Sequence, residues 1–168
     1  MTIYQPPQVS IAILDYSRPK EAATLLLSLR QYARFNHEVV YVSNGGEQAH
    51  VKGWFDGGEI HRWVRCRDNA GCGLGTRFAF QSCMTPWVIY VQADQYLGTT
   101  LTDEHIRQMI ALLEASPDKF HIDLAGNQGQ GRFSERAFFV NRARYLAVPG
   151  MDTCIGGPGP YADHKWTE

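Results

Sequence analysis

Apolar residues fall along this chain in short solid runs, separated by stretches of helical spacing. Residues 9–14 (Val-Ser-Ile-Ala-Ile-Leu) form the first run, which stops at Asp15-Tyr16-Ser17-Arg18-Pro19. A run rich in β-branched residues and bounded by turn chemistry reads as a buried strand. Ser17, Pro19 and Glu21 then supply an N-cap, a first-turn proline and an acid near the positive end of a helix. Between residues 20 and 35, Ala22, Leu25, Leu26 and Leu29 recur at helical spacing. Residues 38–42 are a second strand, closed by Ser43-Asn44-Gly45-Gly46. Strand, helix, strand in that order predicts a parallel sheet with a right-handed crossover.

The pattern continues with a short helix over 50–55 and a strand over 60–66. A glycine-rich loop follows over 67–75, then a helix over 76–84 that Thr85-Pro86 breaks. The run Val88-Ile89-Tyr90-Val91 is the central strand, and it turns polar at Gln92-Ala93-Asp94-Gln95. Thr102 opens a helix carrying Ile106, Met109, Ile110 and Leu113, which Ser116-Pro117 ends. Strands are expected over 121–124 and 136–141, a polar loop over 126–131, a short helix or turn over 142–148, and irregular chain from 149 onward.

Composition narrows the function classes. With 168 residues and a net charge of −1, the chain has the length of one domain and no electrostatic footprint for nucleic acid or a membrane surface. No apolar run is long enough to span a bilayer, and residues 1–8 lack the features of a signal peptide, so cytoplasmic residence is the expectation. Cys66, Cys72, Cys83 and Cys154 include no Cys-x-x-Cys pair, which points to free thiols rather than zinc or disulfides. Gly71, Gly73 and Gly75 have the wrong spacing and place for a dinucleotide fingerprint, so they are read as room for backbone to approach a sugar-phosphate. His37, His50, His61, His105 and His121 are taken as ordinary polar residues.

The chemistry concentrates at Asp94. In open α/β sheets, ligands bind outside the carboxyl ends of the strands. A carboxylate there can hold a hard cation against phosphate oxygens.

Five segments in order resemble a nucleotide-diphospho-sugar glycosyltransferase of glycosyltransferase family 2, over about residues 8–166. Leu14-Asp15-Tyr16-Ser17-Arg18-Pro19 looks like the Pro-Thr-Tyr-Asn-Arg segment, and Tyr41-Val42-Ser43-Asn44-Gly45-Gly46 is similar to Val-Asp-Asn-Gly-Ser. Asn69-Ala70-Gly71 with Arg77, Gln92-Ala93-Asp94 in place of Asp-x-Asp, and Pro149-Gly150-Met151-Asp152 complete the set. The resemblance implies a GT-A (Rossmann-like) fold: a three-layer α/β/α sandwich with a mostly parallel central sheet, forming one catalytic domain over 1–168 with its acceptor side from about 150.

It also implies roles. Asp15 and Tyr16 would line the nucleobase pocket, and Arg18, Asn44, Asn69 and Gly71 belong to the donor-binding segments. Ser43 stands where the family has an acid that reads uracil. Arg77 would pair with the diphosphate or with an acid, and Gln92 would bond a ribose hydroxyl next to Ala93. Asp94 would hold Mn²⁺ or Mg²⁺, with His164 closing its coordination. Asp163 resembles the base that takes the acceptor proton in an inverting transfer, and Asp152 is the second candidate. The donor would be a UDP-sugar, placed ahead of a GDP-sugar, and the acceptor an unidentified hydroxyl. The rival readings are a non-catalytic or weakly hydrolytic nucleotide-sugar binding module, which Ser43, Gln92 and Ala162 favour, a nucleotidyltransferase, and a plain interaction domain.

Overall fold

The computed structural model describes residues 7–46, 48–124 and 136–149. The elements are β1 (Val9–Asp15), α1 (Pro19–Tyr32), β2 (Ala33–Arg34), β3 (His37–Asn44), α2 (Ala49–Asp56), β4 (Arg62–Cys66) and α3 (Gly71–Ser82). β5 (Trp87–Gln92), β6 (Leu101–Thr102), α4 (Asp103–Ala115), β7 (His121–Asp123), β8 (Ala137–Asn141) and α5 (Arg142–Ala147) follow.

Six strands form one sheet in the order β4-β3-β1-β5-β8-β7. β1, β3, β4 and β5 run parallel, β8 is antiparallel to β5, and β7 is antiparallel to β8. Every residue of β1 is buried, which explains its solid rather than alternating run: helices cover both faces. Ile11, Ile13, Val39, Tyr41, Ile89 and Val91 point to the face packed by α1, α2 and α4. Ala12, Leu14, Val40, Val42, Val88 and Tyr90 point to the face packed by α3 and α5. The architecture is the three-layer α/β/α sandwich with a mostly parallel sheet.

Local chemistry sets the helix ends. On α1, Ala22, Leu25, Leu26 and Leu29 form the buried stripe. Fully burying one such leucine contributes about 1.5–3 kcal/mol. Thr102 and His105 form a reciprocal cap at the start of α4, where Ile106, Met109 and Leu113 face the core. At the sheet edge remote from Asp94, Glu38 is buried and accepts from Ser10 Oγ (2.6 Å), the Met84 N–H (2.7 Å) and Arg62 Nε (3.1 Å).

Three expectations need correction. Ser17 is not the cap of α1. It sits in the left-handed region (φ 53°), Arg18 is the N-cap, and Asp15 Oδ1 accepts the Arg18 N–H at 3.1 Å. The helix also ends at Tyr32 rather than running to 35, because Ala33–Arg34 pairs with Leu101–Thr102 as two-residue strands. The glycine stretch is not a loop up to residue 75, since α3 begins at Gly71. Gly73 and Gly75 are buried within it, and a Cβ on Gly75 would lie 2.8 Å from Leu14 Cδ1 and 3.1 Å from Asn44 Nδ2. Glycine there leaves room for the Leu14 and Asn44 side chains of β1 and β3 against the helix. The central strand ends at Gln92, as its polar stop predicts, and Asp94 lies in the turn just beyond it.

Candidate functional site

The carboxyl ends of β1, β3, β4 and β5 lie side by side, and the loops that leave them interlock. Asp15 is opposite Ser43 in the β1–β3 register, and Leu14 is opposite Gln92 in the β1–β5 register. The Ala93 N–H donates to the Leu14 carbonyl at 3.0 Å, and the Gln95 N–H to the Gln92 carbonyl at 3.0 Å. This 92–95 turn places Asp94 over the end of β1.

Gly45 and Gly46 both have positive φ (85° and 73°). A Cβ on Gly45 would meet the Asn69 nitrogen at 2.7 Å, and one on Gly46 would fall 1.6 Å from Ser17 Oγ. The loop after β3 is therefore wedged between the loops after β1 and β4, which only glycine permits.

Asn44 ties this layer together. Its Nδ2 donates to Asn69 Oδ1 (3.0 Å) and to the Gly71 carbonyl (3.1 Å), and its Oδ1 accepts the Ala70 N–H (2.9 Å). Asn69 Oδ1 also accepts the Gly71 N–H at 2.9 Å. The first turn of α3 is thus fixed by amide side chains rather than by an N-cap hydroxyl.

Ser43 and Asn44 point to opposite faces of the sheet. The Ser43 hydroxyl accepts Trp63 Nε1–H at 2.7 Å, and the Arg65 guanidinium lies 4.9 Å over the Trp63 ring. Asp15, on the same face, is only 3% exposed. Tyr41 Oη is buried beside that carboxylate without reaching hydrogen-bond geometry. Burial first, and then the facing Asp15 carboxylate, push the Tyr41 hydroxyl far above its ordinary range. Asp15 is therefore a buried turn-forming acid, whereas its neighbour Tyr16 stands 53% exposed at the mouth of the site.

Asp94 and Arg18 form an ion pair through Oδ2 and Nη1, with side chains 32% and 52% exposed. Asp94 Oδ1 accepts Gln95 Nε2 at 3.0 Å. Gln92 is half-buried, Ala93 is buried, and Arg77 lies half-buried on α3. A largely apolar cavity of about 360 Å³ opens beside the turn, lined by Ile89, Val91, Tyr96 and Leu97 among others.

The structure thus brings Asp15, Tyr16, Arg18, Ser43, Asn44, Asn69, Gly71, Gln92, Ala93 and Asp94 to one sheet edge and its loops. Asp152, Asp163 and His164 lie outside the described residues. Sequence reasoning missed the Trp63–Ser43 bond, the Tyr41–Asp15 juxtaposition and the Arg18–Asp94 pair. Strand register carries the first two, since Trp63 and Tyr41 are opposite each other on β4 and β3.

Among the described residues, no three His, Cys, Asp or Glu side chains cluster as a metal cage. Asp94, partly exposed and offering hard oxygens, fits a cation that completes its shell with phosphate oxygens and water. Cys66, Cys72 and Cys83 are free thiols, with Cys83 buried and pushed up to about 12 by that burial.

No family model and no curated protein matches the chain. Solved structures do match. S. aureus TarS 1-349 is similar at 18% identity and TM-score 0.57, over 81% of this chain and 47% of that chain. Its complex with UDP is similar at 21% identity and TM-score 0.53, over 76% of this chain and 38% of that one. The mannosyltransferase PcManGT from Pyrobaculum calidifontis, in complex with GDP-Man and Mn²⁺, is similar at 14% identity and TM-score 0.64, over 83% of this chain and 46% of that one. The chain spans less than half the length of each. The fold is the GT-A fold of nucleotide-sugar glycosyltransferases.

Proposed function

We propose that residues 1–168 are the donor-binding catalytic domain of a family 2 type glycosyltransferase, which moves a sugar from a UDP-sugar to an acceptor hydroxyl with inversion. The observation that carries this reading is the position of Asp94: an accessible carboxylate in the turn after the central strand, at the edge where the loops after β1, β3 and β4 converge. The likeness to proteins solved with UDP and with GDP-Man and Mn²⁺ supports a nucleotide-sugar donor.

In this reading the exposed Tyr16 ring packs on the base, and Gln92 bonds a ribose hydroxyl. Asn44 and Asn69 hold the start of α3 so that its backbone faces the sugar-phosphate. Asp94 would hold Mn²⁺ or Mg²⁺, and the ion would offset charge on the departing diphosphate. Asp163, with Asp152 as second candidate, takes the acceptor proton as the acceptor oxygen attacks the anomeric carbon. His164 would be the second protein ligand of that ion. Ser43, whose neutral hydroxyl already receives the Trp63 N–H, counts against reading uracil through an acid, and a UDP-sugar is placed ahead of a GDP-sugar on the resemblance alone.

Calorimetry with UDP and GDP in the presence of Mn²⁺ tests the donor site. UDP binding that disappears in Asp94→Ala supports it, and binding unchanged by that substitution removes Asp94 from the site. Release of free sugar from a UDP-sugar separates an enzyme from a binding module, which the neutral Ser43 and Gln92 would otherwise favour.

A further inference from the structure

Resting on the donor-site reading above, the further inference concerns what occupies Asp94 before a donor arrives. Both carboxylate oxygens of Asp94 are engaged: Oδ2 by Arg18 Nη1 and Oδ1 by Gln95 Nε2. A cation that reaches Oδ2 meets the positive charge of the Arg18 guanidinium, and the two repel while both stay there.

The placement of Arg18 is unusual on physical grounds. It is the N-cap of α1, a 14-residue helix, and no side chain caps that end. A helix N-terminus carries about half a positive charge and disfavours a cation beside it. Serine, threonine, aspartate or asparagine is the usual occupant. An arginine is tolerable there if its guanidinium faces an anion. In the structure that anion is Asp94, 76 residues away in sequence but one strand away in space, since Leu14 and Gln92 are paired.

The backbone of Arg18 is anchored while its head is not. Asp15 holds the Arg18 N–H, and Ser17 holds the turn in the left-handed region. The guanidinium itself is about half exposed. A part-exposed ion pair shifts an equilibrium by about fivefold at most. The pair is therefore a weak latch that a stronger anion opens. A diphosphate, with several charged oxygens matched to the guanidinium fork, is such an anion.

We propose that Arg18 and a divalent cation are mutually exclusive partners of Asp94, and that the donor diphosphate draws Arg18 away and thereby opens Asp94 to the cation. Donor and cation then bind cooperatively, and the coupling is reciprocal. Without donor, Arg18 covers the carboxylate. With donor, Arg18 and the cation sit on the same diphosphate.

Mn²⁺ affinity by electron paramagnetic resonance and UDP affinity by calorimetry, on the full chain, test this. Arg18→Met should bind Mn²⁺ without nucleotide about three- to fivefold more tightly than wild type. It should bind UDP more weakly without cation, and UDP should enhance its Mn²⁺ affinity less. Arg18→Lys, which keeps the charge but not the fork, should fall between the two. Nucleotide-free Mn²⁺ affinity that is unchanged or reduced in Arg18→Met overturns the inference while leaving the donor site standing, provided UDP still binds wild type with Mn²⁺. Wild type that binds neither UDP nor GDP with Mn²⁺ overturns both.

Discussion

Asp15 and Ser43 stand opposite each other as the last pair of the β1–β3 ladder. Both are buried, at 3% and 2% exposure, and both face the α1 side of the sheet. The segment at the end of β3 resembles one that carries an acid, and here it carries Ser43 opposite the Asp15 carboxylate. A second acid at that position would be crowded. Two buried carboxylates facing each other repel, and one of them is forced towards its neutral form.

Ser43→Asp is therefore expected to destabilise the protein rather than restore an acidic base reader. The new carboxylate meets Asp15 and loses none of the crowding around the Trp63 N–H. The expected cost is about 1–3 kcal/mol at neutral pH, shrinking on acidification as one carboxylate takes a proton. Urea unfolding at pH 7 and pH 5 measures it, and a variant as stable as wild type at both values would refute the crowding argument.

Asn44→Ala is expected to cost about 1–3 kcal/mol, because it strands the Ala70 N–H in a part-buried layer and removes the bonds to the Gly71 carbonyl and to Asn69 Oδ1, which keeps the Gly71 N–H. The first turn of α3 and the loop after β4 should loosen with it. Hydrogen exchange over residues 67–76 should accelerate well beyond the rest of the sheet, and UDP binding should weaken in parallel.

Gly75→Ala tests the close approach of α3 to the sheet. Helix propensity alone predicts a gain from replacing a helical glycine. The added Cβ would sit 2.8 Å from Leu14 Cδ1 and 3.1 Å from Asn44 Nδ2, so a net loss of about 1–2 kcal/mol is expected. That corresponds to a fall of about 2–8 °C in Tm for a domain of this size. A raised Tm would mean that Leu14 and Asn44 yield without cost.

The contrast between Gly75 and Leu25 shows what was legible in the sequence. Leu25 belongs to a stripe whose period announces both the helix and its buried face. Gly75 belongs to a helix that local propensity assigns to a loop, and the side chains it makes room for lie 31 and 61 positions earlier. The same holds at the site. Asp94 and Gln92 stand out as a polar stop after a solid apolar run, and the sheet edge follows from strand order. The Arg18–Asp94 pair, the Trp63–Ser43 bond and the two-residue pairing of β2 with β6 leave no periodic trace. They arise from strand register, which only the folded chain sets.

Acid stability should fall in two separate windows. Burial pushes the His37 imidazole below its ordinary value of 6.5, and His61 adds to this against the opposing bond to the Phe35 carbonyl. The unfolded chain therefore binds a proton near pH 6.5 that the folded chain refuses. Stability is full above that pH and declines as pH falls through it. Glu38 acts lower. Burial alone would raise its carboxyl, but the bonds from Ser10, the Met84 N–H and Arg62 together outweigh it and hold the group below 4.5. Its stabilisation is present above pH 4.5 and is lost as pH falls towards the folded value. His121, which burial also lowers, should add to the first window. Urea unfolding from pH 8 to pH 3 should show both declines. His37→Gln should flatten the slope near pH 6 and spare the lower one. Glu38→Gln should cost about 1–3 kcal/mol at pH 7 and flatten the decline below pH 4.5. A lower decline that persists unchanged in Glu38→Gln would place its origin in other carboxylates.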